Sequence, residues 1–86
     1  IYQAGGVLQG LGSELLYAAD LGLVKGETLN ALILGYDAAQ QLYRKAANLA
    51  LAGSAAEAAR ARGELLQVID KLRRDLLAAG VKGAGP

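Results

Sequence analysis

The stretch that decides the fold is Leu49-Ala50-Leu51-Ala52-Gly53-Ser54-Ala55-Ala56-Glu57-Ala58. Its first four residues end an Ala- and Leu-rich segment that begins near Gly26-Glu27-Thr28, where Glu27 suits the positive end of a helix dipole. Gly53 stops that segment. Ser54 and Glu57 then stand in the S-x-x-E spacing of a capping box. In that motif the serine hydroxyl accepts from the amide three residues on, while the glutamate carboxylate returns to the serine amide. A helix therefore ends at about residue 52 and another begins at 55. Two intervening residues leave no geometry but an antiparallel hairpin, with arms of roughly 35–40 Å at 1.5 Å per residue.

Outward from this turn, the third helix runs to about residue 79, where Gly80 closes it and Val81 is placed to fold back on Leu76. It is cleanly amphipathic. Ala58, Ala61, Leu65, Val68, Ile69, Leu72, Leu76 and Ala79 share one face, and Glu57, Arg60, Glu64, Gln67, Lys71, Arg74 and Asp75 lie opposite. Asp70 with Arg74 and Lys71 with Asp75 have the i,i+4 spacing of helix-surface ion pairs. Upstream, Ala4, Leu8, Leu11, Leu15 and Ala18 repeat at helical spacing across residues 2–21, and Gly22 ends that helix with Leu23 turned toward Ala18. The expected architecture is all-α: an up-down-up three-helix bundle, or a hairpin plus an N-terminal helix. One domain spans residues 1–81, with helices at about 2–21, 27–52 and 55–79, and residues 82–86 form a flexible tail.

The second helix is apolar on two sides. Leu29, Leu32, Ile33, Tyr36, Tyr43, Ala47 and Ala50 make one stripe; Ala31, Leu34, Ala38, Leu42 and Leu49 make the other. Polar residues are confined to a wedge of roughly 100°, narrower than a surface helix carries. Either this helix sits in the crook of the bundle, or its second stripe packs on another copy or another helical protein. The second reading is preferred. It makes Ala31, Leu34, Ala38, Leu42 and Leu49 the candidate interface, with Tyr2 and Tyr17, which project away from the first helix's leucine stripe, as anchors. Gly6 and Gly10 add a small-xxx-small spacing of the kind that brings helix backbones together.

Composition excludes more than it assigns. The 86 residues contain no His and no Cys, so the usual general base, the usual thiol nucleophile and the commonest metal ligands are missing. No catalytic, cofactor-binding or metal-binding residues are expected, and no disulfide framework is possible. A net charge of +1, with basic residues interleaved among acids, gives no footprint for nucleic acid. No apolar run is long enough to cross a bilayer. The chain begins at Ile1, which suits a processed product or part of something longer.

The stretch Tyr36-Asp37-Ala38-Ala39-Gln40-Gln41-Leu42-Tyr43-Arg44-Lys45-Ala46-Ala47, followed by a Gly-Ser break and another Ala-rich helix, resembles small helical accessory proteins encoded by phages and prophages. The resemblance covers about residues 17–79 and implies a structural role in a virion or a bacterial cell envelope. The expectation is thus a non-catalytic, self-associating helical interaction module. Two other readings stay open: an envelope- or membrane-associated accessory protein whose anchor has been removed, and a small nucleic-acid-binding helical protein.

Overall fold

A computed structural model describes residues 2–81, apart from the side chains of Tyr2 and Gln3. It contains three helices, α1 (Tyr2–Asp20), α2 (Gly26–Leu51) and α3 (Ala55–Ala78), packed as an elongated bundle of 43 × 23 × 17 Å. Among the described residues there is no strand. The expected tail at 82–86 lies outside the described residues.

Each helix ends in the same way. Past α1, α2 and α3, Gly22, Gly53 and Gly80 adopt φ of +74°, +81° and +92°, a region that costs any other residue a clash between Cβ and the following carbonyl. The next residue's amide then reaches back to the helix: Leu23 to the Ala18 carbonyl, Ser54 to Leu49 and Val81 to Leu76, each at 2.9 Å. These bonds satisfy carbonyls that a helix end otherwise leaves unpaired. At the end of α3 an apolar contact reinforces the cap, because Val81 and Leu76 are both in the core. After α1 it does not. Leu23 is exposed, and it is Val24 that turns inward.

The capping box is not formed. Ser54 occupies the N-cap position of α3, but its side chain makes no capping hydrogen bond. The cause is the brevity of the turn. The Ser54 amide, which Glu57 would have to reach, already donates to Leu49 to close α2. Ser54 is held at φ −84°, ψ 69°, away from the extended geometry usual for an N-cap. Its carbonyl still starts α3 by accepting from the Ala58 amide at 2.8 Å.

Among the described residues the core is one main cluster, with the buried Ala46 and Ala61 outside it. Ala4, Leu8, Leu11, Leu15 and Ala18 of α1, the whole expected stripe, meet Leu65, Ile69, Leu72 and Leu76 of α3, with Leu32 and Ala39 of α2 between them. The α2–α3 hairpin is the main contact, and α1 lies along it. On α2 the most buried residues are Leu32, Ala39 and Ala46, spaced by seven. Neither alanine has any accessible surface, and both lie on the helix whose main packing partner is α3.

The two apolar stripes of α2 accordingly have two internal uses. Tyr36 and Tyr43, from the first stripe, turn toward α1. From the second, Leu42 packs on the core, Leu49 lies beside Arg60 and Ala61 of α3, and Ala31 shares a groove with Ala78 and Ala79. Of the second stripe, Leu42 and Leu49 are thus partly covered within the bundle, while Ala31, Leu34 and Ala38 remain exposed. The i,i+4 pairs on α3 are formed, Lys71–Asp75 at 2.7 Å and Arg74–Asp70 at 3.1 Å. Both are exposed, so each contributes at most a few tenths of a kcal/mol, on the order of 0.3.

Candidate functional site

Two features stand out on the surface: a cleft between α1 and α2, and a concentration of apolar side chains at one end of the bundle.

The cleft owes its form to glycine. A β-carbon at Gly5 would lie 2.8 Å from the Tyr43 hydroxyl oxygen, and one at Gly12 would lie 2.5 Å from that of Tyr36. Both glycines and both tyrosines are seven residues apart, two helical turns. The phenol rings therefore bridge from α2 onto bare backbone of α1, and their order shows that the two helices run antiparallel. Gln40, one turn beyond Tyr36, donates its amide to the Tyr36 hydroxyl oxygen at 3.2 Å. Gly5, Gly6, Leu8 and Gln9 of α1 and Tyr36, Gln40, Tyr43 and Arg44 of α2 line an open space of about 730 Å³.

Here too the structure departs from expectation. The close approach uses Gly5 and Gly12. At Gly6 and Gly10, the pair with small-xxx-small spacing, an added β-carbon would meet nothing within 4 Å, and both residues lie exposed on α1. Glycine count alone does not distinguish the pairs. A seven-residue match between Gly5/Gly12 and Tyr36/Tyr43 is the available signal.

The apolar surface is uneven. The C-terminal half of α1, the loop after it, the N-terminal half of α2 and the C-terminal half of α3 all lie at one end. That end carries Leu16, Tyr17, Leu21, Leu23, Ile33, Leu34 and Leu77, all exposed. Leu16 and Leu34 retain 68% and 69% of their accessible surface, and Tyr17 retains 63%. Elsewhere Val7 and Leu66 flank a groove between α1 and α3, and Leu51 stands alone by the α2–α3 turn. Of the residues anticipated as an interface, Leu34, Tyr17, Ala31 and Ala38 are exposed or nearly so, whereas Leu42 and Leu49 are half-buried. The side chain of Tyr2 lies outside the described residues. Sequence reasoning misses Leu16, Leu21, Ile33 and Leu77 as an exposed group, because their assembly depends on how three helices are arranged.

Among the described residues no three acidic side chains gather as a metal site would require, and no helix is long and apolar enough to cross a membrane. Comparison of the chain with protein-family models, with curated proteins and with solved structures gives no match.

Proposed function

We propose that this protein is a non-catalytic helical interaction module that self-associates through the end of the bundle at the α1–α2 loop. The observation that supports this reading is the gathering of Leu16, Tyr17, Leu21, Leu23, Ile33, Leu34 and Leu77 on that end while the core itself is complete. Single exposed leucines are ordinary on a soluble protein. Seven large apolar side chains exposed on one end of so small a bundle are not, and such concentrations mark places where another surface is to be covered.

The lack of His and Cys argues in the same direction, since association needs none of the chemistry those residues supply. A structural setting in a virion or a cell envelope, implied by the resemblance of residues 17–79, belongs to the same proposal.

Light scattering over a range of protein concentrations tests it. The expected result is a mass that rises above 8.8 kDa to a defined multiple. A monomer at every concentration overturns self-association.

A further inference from the structure

We propose that the cleft between α1 and α2 is a binding site for a small organic carboxylate with an apolar body, held by Arg44 between the rings of Tyr36 and Tyr43. This site is separate from the apolar end of the bundle and does not depend on self-association.

Among the described residues lining the cleft, Arg44 alone is charged, and none of them carries a carboxylate. Neither side-chain ion pair among the described residues involves Arg44. A guanidinium offers a planar fork that matches a carboxylate through two parallel N–H···O bonds. One such group balances a monoanion, whereas a phosphate dianion calls for more.

Size follows from the tyrosines. Their spacing of seven helical residues puts the Cα atoms of Tyr36 and Tyr43 roughly 10 Å apart along α2. That spacing suits one ring or a short carbon chain lying between the two phenols, in a cleft that is otherwise open to solvent. On the α1 side the exposed backbone of Gly6 supplies flat surface, over a floor formed by the buried Leu8 and by Gly5, on which the Tyr43 ring rests. The remaining polar groups can serve the ligand's edge. With Gln40 already donating to the Tyr36 oxygen at 3.2 Å, the Tyr36 hydroxyl proton is directed elsewhere, and the Gln9 amide lies on the opposite wall.

Such a ligand would bridge α1 to α2, and binding to the folded state alone raises its stability by mass action. Benzoate is the probe, and benzamide, equal in shape but uncharged, is the control. Thermal unfolding and heteronuclear NMR titration are to be run on the wild-type protein, on Arg44→Gln and on Arg60→Gln, which removes an exposed arginine on α3 away from the cleft. The expected result is a benzoate-dependent rise in melting temperature, with resonance shifts centred on residues 5–9 and 36–44. Both effects should be much weaker with benzamide, at least tenfold weaker in Arg44→Gln and unchanged in Arg60→Gln. Absence of a benzoate effect, an equal effect of benzamide, or an effect that survives Arg44→Gln each overturns the proposal. Since Arg44 is exposed, its replacement leaves the core intact, and the circular-dichroism spectrum of the variant checks this directly.

Discussion

Gly12 of α1 and the Tyr36 ring of α2 occupy complementary space: a β-carbon at position 12 would stand 2.5 Å from the phenolic oxygen. Gly10, two residues earlier on the same helix, faces nothing. The two glycines should therefore respond oppositely to the same substitution. Gly10→Ala gains helix propensity and is expected to stabilise the protein by about 1 kcal/mol. In Gly12→Ala the same gain is opposed by overpacking, which costs about 1–3 kcal/mol, because the ring must swing away and give up its bond with Gln40. Urea unfolding should place Gly12→Ala at least ~1 kcal/mol below Gly10→Ala. Equal midpoints would mean that Tyr36 yields freely and does not set the α1–α2 spacing.

Leu65 and Leu76 are the largest side chains with no accessible surface. Truncation of either to alanine leaves a cavity among α1, α2 and α3 and is expected to cost about 2–5 kcal/mol. A loss of that size is a large part of what a domain this small has. Leu51→Ala, at a side chain 87% exposed, should stay within about 0.5 kcal/mol of wild type. Comparable losses at positions 51 and 65 would contradict the core assignment.

The α2–α3 turn gives a sharper contrast. Losing a true N-cap costs roughly 1 kcal/mol, but Ser54 makes no side-chain bond to α3. Ser54→Ala is therefore expected to shift stability by less than about 0.5 kcal/mol. Gly53→Ala should cost more, about 1–2 kcal/mol, because residue 53 sits at φ +81°. Chemical denaturation of both variants decides the matter, and a larger loss at 54 than at 53 would restore the capping box.

These contrasts mark where the sequence is readable. Helix ends lie within one residue of the places that Gly22, Gly53 and Gly80 indicate, because glycine termination is a local event. The leucine stripe of α1 and that of α3 are legible for a similar reason, as large apolar residues at helical spacing have one place to go. The burial of Ala39 and Ala46 is not. Alanine is equally at home inside and outside, so only the packing of the neighbouring helices makes it a core residue. Val24 is hidden by a loop that buries one residue and exposes its apolar neighbour. Ser54 misleads because two helix ends, each with an ordinary local signal, compete for one amide. The cleft is invisible for the plainest reason: its two walls stand on different helices, and neither wall carries a motif alone.

At the loop end of the bundle, Leu16 and Leu34 point away from the core, with 68% and 69% of their surfaces open. Replacing both with glutamate should leave the helical circular-dichroism spectrum and the urea midpoint close to wild type. If this end is buried between copies, however, two carboxylates would be taken out of water without partners, which strongly disfavours the assembly. Light scattering should then return the mass of the monomer. Leu42→Glu serves as the opposite control. Leu42 packs against the core, so that change should unfold the protein rather than merely dissociate it. A Leu16→Glu/Leu34→Glu variant that keeps the wild-type oligomeric mass would remove the loop end as the interface. The groove between Val7 and Leu66, on the other half of the bundle, would then be the next surface to test.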